Sequence, residues 1–400
     1  MEGCELTLLD NLKLKVICEG KAKLYVPDLS YYGHYVGNSE PSHAPVFYNP
    51  RMIFDRDLSV LVVNRFRSFV SENLRICDAF SGTGVRGIRY GLEVDGVDLI
   101  WFNDWNPLAV SLIHKNILLN PIKPSVAVSC LDARRMFFMN SNFNSRFHVI
   151  DIDPFGSPSK FIQPAIASLK DGGLMCITAT DVPVLFGKYP TTCLRRYGSI
   201  PIESSFSQEI AVRILLGYIS RNVSTYDFSC TPLLCYSRAH YIRVFARFDF
   251  GVDLANESVS KLGYIAFCEK CLHRFVVNGI LPPDIRECPN CNSKLHFSGP
   301  LWVGPLFDPD FITLLREDAT IPDLTRFLDI VLDECRGPPT FYVLDEISKI
   351  LKISSPRVDD VLDELKSMGF FASRTHFHVK GVRTDAPSKI IFDVVRSSSS

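Results

Sequence analysis

The chain has 400 residues, of which 46% are hydrophobic and 22% are charged. This is the composition of an ordinary globular protein, and it excludes wholesale disorder. At roughly 100–200 residues per domain, the length predicts two or three domains, each with a core of its own. The 43 Lys and Arg residues nearly balance the 44 Asp and Glu residues. A nucleic-acid partner must therefore meet a local basic patch rather than a global positive field.

The cysteine count bears on the cellular compartment. The chain has 13 cysteines, and an odd number without an export signal argues against a disulfide framework. Met1–Asp10 lack the basic start and apolar stretch of a secretory signal. No apolar run approaches the roughly 18 residues of a membrane span. We therefore expect a cytoplasmic protein with reduced thiols and no membrane contact, in which clustered cysteines are candidate metal ligands.

The first predicted elements indicate an α/β fold. Within residues 1–70, the last part of the segment 47–66 has apolar residues at helical spacing. From residue 75 onward, short apolar runs alternate with segments of helical spacing, such as 85–94 and 107–120. This alternation predicts a doubly wound, Rossmann-like parallel sheet. Its predicted strands lie at 75–80, 99–104, 126–133, 147–155 and 172–181.

The next predicted elements are a long helix and a pair of strands. The helix is predicted at 205–223, and the strands at 230–238 and 240–250 are joined by a short link that indicates an antiparallel pair. Further along, three helical segments precede a basic, hairpin-like segment, which fits a helix-turn-helix with a wing. These three segments lie at 325–334, 343–352 and 355–369.

The element pattern predicts two domains. Residues 1–250 are expected to form the sheet domain together with an N-terminal extension. Residues 251–400 are expected to form an α+β domain. Within that second domain we expect a zinc ribbon at about 264–298 and a winged-helix-like region at about 322–400.

A glycine-rich turn follows the first predicted strand of the sheet. It reads DAFSGTGVRG, and its glycines would let backbone amides approach a ligand closely at the start of a helix. Gly82, Gly84 and Gly87 also satisfy the dinucleotide pattern G-x-G-x-x-G, so the glycines alone do not identify the cofactor. Taken alone, the segment could equally be a structural strand-to-helix turn.

Acidic residues at successive strand ends favour a nucleoside cofactor. Asp78 ends the first strand, where a carboxylate can face the ammonium group of S-adenosylmethionine. Asp104 ends the next strand, where an acid suits ribose hydroxyls. Asp132 and Ala133 end the third strand, at a natural edge for adenine. An NAD-binding oxidoreductase is the weaker alternative, because nothing in the sequence supplies a hydride-transfer site.

The segment DIDPFGSP follows the fourth strand. An acid, a proline and an aromatic at the carboxyl edge of a sheet could hold a planar base that carries an exocyclic amine. Such an amine is a poor nucleophile because its lone pair is delocalised into the ring. Asp153 could accept its proton while the base is held in line with a sulfonium methyl group. An Asx-Pro turn is the structural alternative.

Taken together, several sequence blocks resemble the tRNA (guanine-N2-)dimethyltransferase family of class I S-adenosylmethionine-dependent enzymes. This family converts guanine 26 of tRNA to N2-methylguanine and then to N2,N2-dimethylguanine. The resemblance spans residues 15–395 in order, and the DPFGSP segment is highly specific. The matching blocks are 47–50, 55–60, 81–89, 151–158, 179–181, 193–197, 262–264, 299–302 and 373–377.

The resemblance implies roles for individual residues. Asp153 would be the catalytic acid/base, and Phe47 and Phe155 would flank the target guanine. Asp55 departs from the pattern, which more often has Asn there. The implied cofactor contacts are Arg56, Arg86, Asp104, Asp132 and Ala133. Without a transit peptide or long extensions, the chain looks more like an archaeal member of the family than a eukaryotic one.

Two cysteine pairs predict a zinc site. Cys268-x-x-Cys271 and Cys288-x-x-Cys291 are separated by sixteen residues, which is the spacing of a four-cysteine zinc ribbon. Four thiolates close a tetrahedral site with no open position, so the zinc would be structural. Four buried free thiols are the alternative.

Local basic residues predict a surface for tRNA. Arg and Lys would bind phosphates, and interleaved His and aromatic residues could stack on exposed bases. A solvated hairpin is the structural alternative for the C-terminal segment. The candidate residues are Arg195, Arg196, Arg374, His376, Lys380 and Arg383.

The sequence therefore favours a tRNA methyltransferase that uses S-adenosyl-L-methionine, holds structural zinc and needs no obligate protein partner. An adenine-N6 or other exocyclic-amine methyltransferase is the alternative enzyme, although DPFG rather than an aromatic-rich [DN]PP[YF] motif argues against it. A non-catalytic, zinc-dependent RNA-binding protein is the alternative from another class.

Overall fold

The computed structural model describes Leu9, residues 12–34 and residues 43–399. These residues form two compact units. The first consists of the described residues up to Pro154 together with Lys160–Ile177, and the second consists of Phe155–Ser159 together with residues 178–399. The expected boundary at residue 250 does not coincide with a boundary of these units, and the expected division into domains stays a prediction.

The first unit contains the predicted parallel sheet, and the α/β fold is confirmed. Parallel pairings place the strands in the order β5-β4-β3-β6-β7. Every residue of β6 is buried, as expected for a strand covered on both faces. The strands are β3 (Leu74–Asp78), β4 (Val97–Asp104), β5 (Ser125–Cys130), β6 (Phe147–Ile152) and β7 (Leu169–Ala179), the last of which belongs to this unit up to Ile177.

Helices follow the strands of this sheet as the spacing predicted. Asn106 begins one of them by accepting a hydrogen bond from Leu108 N, and Pro107 occupies the first helical position. Asp132 caps another through Arg134 N. The first unit also has two helices before this sheet, α1 (Leu29–His34) and α2 (Ile53–Arg67). Those that follow its strands are α3 (Val85–Glu93), α4 (Pro107–Leu118), α5 (Ala133–Met139) and α6 (Ile162–Ala167).

An N-terminal hairpin was not predicted from the sequence. Strands β1 (Leu14–Glu19) and β2 (Ala22–Pro27) pair antiparallel, and Gly20 in their turn has a φ of 54°. This left-handed conformation favours glycine. The hairpin places Glu19, which is buried, against Arg56.

The second unit contains the predicted antiparallel pair and a small three-stranded sheet. Strands β8 (Thr231–Arg238) and β9 (Tyr241–Phe248) pair antiparallel, which confirms that prediction. The small sheet has the order β11-β10-β12, formed by β10 (Leu262–Phe267), β11 (Arg274–Asn278) and β12 (His296–Trp302). The helices before residue 320 are α7 (Val182–Leu185), α8 (Pro190–Tyr197), α9 (Ser207–Val223), α10 (Val252–Ser260) and α11 (Pro309–Asp318).

The C-terminal part of this unit alternates helices with short strands. Its strands form an antiparallel sheet of order β13-β15-β14. In chain order the elements are α12 (Pro322–Glu334), β13 (Tyr342–Val343), α13 (Leu344–Leu351), α14 (Val358–Ser367), β14 (Ala372–Thr375), β15 (His378–Thr384) and α15 (Ser388–Ser397). Among the described residues, none of the helices has both the length and the hydropathy needed to cross a bilayer.

Two residues expected to face RNA lie in a buried ionic cluster instead. Arg383 is 2% exposed; its Nη2 lies 2.9 Å from Glu209 Oε2, and its Nε lies 3.0 Å from Glu334 Oε2. The His376 ring contacts Glu334, and its side chain is 2% exposed. Burial by itself would raise the pKa of Glu209, but Arg383 and Arg213 lower it to about 2. Arg383 therefore compensates buried acids and presents no charge to a phosphate.

We expect Arg383→Ala to destabilise the chain strongly, because it leaves Glu209 and Glu334 buried with less compensation. Removing one partner of a buried ion pair costs about 3–5 kcal/mol. Urea unfolding, followed by a probe in the second unit, measures the effect. Arg374→Ala is the control, since Arg374 pairs with the exposed Asp359, a pairing worth about 0–1 kcal/mol. Equal unfolding midpoints for the two variants would contradict a compensating role for Arg383.

Candidate active site

The carboxyl edge of the parallel sheet gathers the predicted acids. Asp78 and Asp104 are the last residues of β3 and β4, Asp132 follows β5, and Asp153 follows β6. Strands β3 and β6 are neighbours although they are not consecutive, and Asp78 is in register with Asp151 of β6. The strand order reverses between β3 and β6, because β4 and β5 lie on one side of β3 and β6 lies on the other. Open α/β sheets bind ligands in the crevice at such a switch point.

Two of these acids are held by backbone amides of the glycine-rich loop and its neighbour. Asp78 Oδ2 accepts a hydrogen bond from Gly87 N at 3.0 Å. Asp104 accepts one from Gly82 N and one from Asn106 N, both at 2.9 Å. A carboxylate offers about four acceptor positions. Asp78 and Asp104 therefore keep acceptor capacity for a ligand.

The pKa values of Asp78, Asp104 and Asp132 are shifted in different directions by their surroundings. Burial and the nearby Asp151 raise the pKa of Asp78 to about 7. Burial also raises the pKa of Asp104. The exposed Asp132 has its pKa lowered to about 2, chiefly by the hydrogen bond from the Arg134 side chain. A cation placed beside Asp78 would favour its ionised form, so this position suits an ammonium group.

The glycine-rich loop leaves little room for side chains. Gly82 and Gly84 have φ values of 53° and 80°, in the left-handed region. A Cβ on Gly82 would lie 3.0 Å from the Phe47 carbonyl oxygen. Thr83 Oγ1, in the same loop, is buried with no hydrogen-bond partner within the described ranges. A close backbone and an unsatisfied hydroxyl fit a loop that receives a polar ligand.

Arg86 joins three carboxylates beside this loop. Its Nη2 lies 2.8 Å from Asp55 Oδ2 and 2.9 Å from Asp153 Oδ2, and its Nε lies 3.6 Å from Asp151 Oδ1. Its Nη1 donates to Ser59 Oγ. Asp55 is fully buried, whereas the Asp153 side chain is 25% exposed. Arg86 therefore fixes Asp153 while leaving part of its carboxylate accessible.

Ser59 and Asp151 contact Arg86 but were not predicted as site residues. Asp55 and Ser59 lie four residues apart on α2, so they share a helix face. That spacing was a readable signal for Ser59. Asp151 is the second-last residue of β6, and Asp153 follows the end of that strand. Their spacing of two residues, at which side chains of a strand point to the same side, was the readable signal for Asp151.

Arg56 is paired inside the first unit. Its Nε and Nη2 each lie 2.6 Å from a carboxylate oxygen of Glu19, and both Nη atoms donate to the Asn49 carbonyl. It is 5% exposed. A cofactor contact at Arg56 stays a prediction.

The two aromatic residues expected to flank a base differ in exposure. Phe47, in the first unit, is partly buried, and its carbonyl lies close to Gly82. Phe155, in the second unit, is 72% exposed. The exposed ring of Phe155 is suited to stacking on a base. A base-flanking role stays a prediction for both residues. Ala133 begins α5 and is buried.

The four predicted cysteine ligands come together. The Sγ atoms of Cys268, Cys271, Cys288 and Cys291 lie within 4.8 Å of one another. The turns are equivalent: Leu272 and Asn292, each directly after the second cysteine of a pair, have φ values of 54° and 55°. Cys268 N and Cys288 N each bond to the carbonyl five residues ahead. Four thiol groups in this arrangement match the donor set of a structural zinc site.

The remaining residues predicted to bind RNA are accessible to different extents. Arg195 is exposed. Arg196 pairs with Asp181, and its side chain is 37% exposed. Arg374 pairs with Asp359 at 2.7 Å, and Lys380 pairs with Asp345 at 2.8 Å. The ion pairs of Arg374 and Lys380 are exposed and therefore weak, so these two cations remain available to phosphates.

Comparisons with known proteins give a consistent result. A family model for N2,N2-dimethylguanosine tRNA methyltransferase matches residues 20–396. A Methanosphaera stadtmanae protein named tRNA (guanine(26)-N(2))-dimethyltransferase is 40% identical over 389 residues, covering 95% of this chain and 97% of that protein. An Aquifex aeolicus protein named tRNA (guanine(26)-N(2)/guanine(27)-N(2))-dimethyltransferase is 33% identical over 378 residues, covering 93% of each.

A solved structure is similar over nearly the whole chain. It is described as Trm1 from Pyrococcus horikoshii in complex with S-adenosyl-L-methionine. Its TM-score is 0.84 at 31% identity, and the match covers 96% of this chain and 100% of that one. With the family model and the curated relatives, this likeness shows that the chain belongs to the N2,N2-dimethylguanosine tRNA methyltransferase family.

Proposed function

We propose that this protein transfers one or two methyl groups from S-adenosyl-L-methionine to the exocyclic N2 amine of guanine 26 in tRNA. The observation that carries the proposal is the position of Asp153. It follows β6 at the carboxyl edge of the parallel sheet, and Arg86, from the helix that the glycine-rich loop opens, holds its partly exposed carboxylate at 2.9 Å.

S-adenosyl-L-methionine suits the acids of the sheet edge and is bound in the similar P. horikoshii structure. When bound, it supplies an electrophilic methyl group on a sulfonium. Asp78 would hold its ammonium group, Asp104 its ribose hydroxyls, and Asp132 with Ala133 its adenine. Gly82 and Gly84 would let the backbone approach it. The raised pKa of Asp78, about 7, is consistent with a carboxylate that a bound cation helps to ionise.

Asp153 would act on the guanine. As the N2 amine gains a methyl group it must lose a proton, and Asp153 would accept that proton. A guanine inside tRNA must leave its stack first, which costs a few kcal/mol. Stacking on Phe47 or Phe155, at about 1–3 kcal/mol per base, would offset that cost. A second transfer requires room for the methylated amine to rotate.

The tRNA itself would be held by residues 251–400, together with the basic residues of α8. The order helix, strand, helix, helix, strand, strand from Pro322 to Thr384 is consistent with the proposed winged-helix-like region. In the proposed helix-turn-helix, the second helix is α14. It exposes Asp359, Asp360 and Asp363, whose negative charges repel phosphate. We therefore assign tRNA contacts to Arg195, Arg196, Arg374 and Lys380 rather than to that helix.

Zinc would serve structure rather than chemistry. The four cysteines lie in the second unit, whereas Asp78, Asp104, Asp132 and Asp153 lie in the first. Four thiolates leave no open position for a substrate. We therefore assign the four-cysteine site to the stability of the small sheet around it.

Methylation of matched transcripts tests the proposed function. The wild-type protein is incubated with S-adenosyl-L-methionine and one of two tRNA transcripts that differ only in guanine or adenine at position 26. Mass spectrometry of the digested nucleosides should detect N2-methylguanosine or N2,N2-dimethylguanosine from the first transcript alone. Methylation of adenine in the second would favour the adenine-N6 alternative, and failure to bind the cofactor would favour a non-catalytic RNA-binding protein.

Asp153→Ala is expected to lower kcat for methylation by about 10²–10⁴-fold, because general base catalysis typically contributes that much. Calorimetry should show unchanged affinity for S-adenosyl-L-methionine, since Asp78 and Asp104 remain. The fold should survive because Arg86 keeps Asp55 and Asp151. Asp98→Ala, an exposed acid on β4, is the control. Near-normal turnover of Asp153→Ala would contradict the role of Asp153.

The double variant Cys268→Ser/Cys288→Ser is expected to lose bound zinc and to melt at a lower temperature, because structural zinc contributes directly to folding. Elemental analysis should find about one zinc per wild-type chain and much less in the variant. Affinity for S-adenosyl-L-methionine should be retained. Cys18→Ser, at an exposed thiol of the hairpin, is the control. A wild-type chain purified without chelators that contains no zinc would contradict the site.

A further inference from the structure

We propose that Tyr197 is a positioning residue for the catalytic segment, defined as Phe155–Ser159. The inference rests on the proposed function, because it assigns Phe155 to the target guanine. All the residues that carry it lie in the second unit. Hydrogen bonds join these residues, which come from separate sequence motifs.

Tyr197 links the catalytic segment to a buried acid. Its hydroxyl donates to Asp181 Oδ1 at 2.7 Å and accepts from Ser157 Oγ at 2.7 Å. The ring is fully buried. Burial and the charge of Asp181 raise the pKa of Tyr197, so its hydroxyl stays protonated and remains a donor. Phenylalanine would fill the same space but could make neither bond.

Two further contacts fix the ends of the segment. Gly156 N donates to Thr180 Oγ1 at 2.7 Å, and Thr180 N donates to the Gly156 carbonyl at 3.0 Å. Tyr218 Oη donates to the Ser159 carbonyl at 2.9 Å. Tyr197 is the anchor at the middle of the segment, between these two. Phe155 is thus an exposed aromatic ring at the start of a segment whose backbone and Ser157 side chain are held by partly buried hydrogen bonds.

The geometry explains why such an anchor matters for this chemistry. A base that has left its stack gains a fixed orientation only from a surface that is itself fixed. An exposed phenylalanine on a loosely held segment would stack on the base in many orientations. Arg196, next to Tyr197 on α8, donates to the other oxygen of Asp181 at 2.8 Å. A residue proposed to contact tRNA therefore shares its acid with the anchor.

Tyr197→Phe, Ser157→Ala and the double variant test the inference. We expect each single variant to lower kcat on tRNA by roughly 10-fold, because small misplacements in an active site cost this much or more. KM for tRNA and the affinity for S-adenosyl-L-methionine should change by less than about twofold. The double variant should lose clearly less than the two single losses combined, since Tyr197→Phe and Ser157→Ala share the Ser157–Tyr197 bond. Amide hydrogen exchange in 155–159 should become faster in all three.

Ile312→Val is the stability control, because it trims a fully buried side chain of α11 that lies outside this network. An equal fall in kcat in this variant at the same loss of Tm would overturn the inference. So would additive effects of Tyr197→Phe and Ser157→Ala. Unchanged amide exchange in 155–159 would overturn it even without a substrate. A wild-type protein that does not methylate guanine 26 would overturn the proposed function instead, and the exchange result would still decide the role of Tyr197.

Discussion

Arg86 is the charge on which the acidic edge of the parallel sheet depends. Asp55 and Asp151 are almost completely buried beside it, and an unpaired buried carboxylate costs several kcal/mol. Arg86 compensates both and also binds Asp153. It can do so because the glycine-rich loop turns directly into α3, which places position 86 beside the neighbouring ends of β3 and β6. One guanidinium therefore allows several acids to share a small space.

The same edge separates structural acids from acids that can serve a ligand. Asp55 and Asp151 are used within the protein, whereas Asp78 and Asp104 are held mainly by backbone amides. Backbone amides orient a carboxylate without neutralising it, so its charge remains for a cation or a hydroxyl group. Asp153 combines both situations, since Arg86 fixes it and part of its carboxylate is accessible. This division suits a site that binds a cationic cofactor and removes a proton.

Some basic residues of the second unit form buried ion pairs and do not face solvent. Arg383 and Arg213 compensate Glu209 from within the core, so the basic residues of the chain do not all face a partner. The proposed tRNA surface therefore consists of exposed cations outside this cluster. The exposed ion pairs of Arg374 and Lys380 cost little to exchange for phosphates. The near-zero net charge is therefore compatible with RNA binding.

The sequence determined the elements of the parallel sheet and the chemical types of the residues at its edge. Alternating apolar runs predicted the strands of the parallel sheet to within about three residues, because buried parallel strands carry nearly continuous apolar stretches. The cysteine spacing predicted the four-thiol cluster, since each pair is local in the chain. Position at the strand ends likewise predicted that Asp78, Asp104, Asp132 and Asp153 share one edge.

The tertiary structure alone decided which charges are buried and which long-range partners they meet. Arg383 and Arg374 lie nine residues apart in one basic segment, yet the first is in the core and the second is accessible. The hairpin that brings Glu19 to Arg56, and the bond from Ser157 to Tyr197, join residues that are 37 and 40 positions apart. Periodicity and spacing describe neighbours along the chain. Burial and pairing depend on which elements pack together, and that is settled only when the whole core forms.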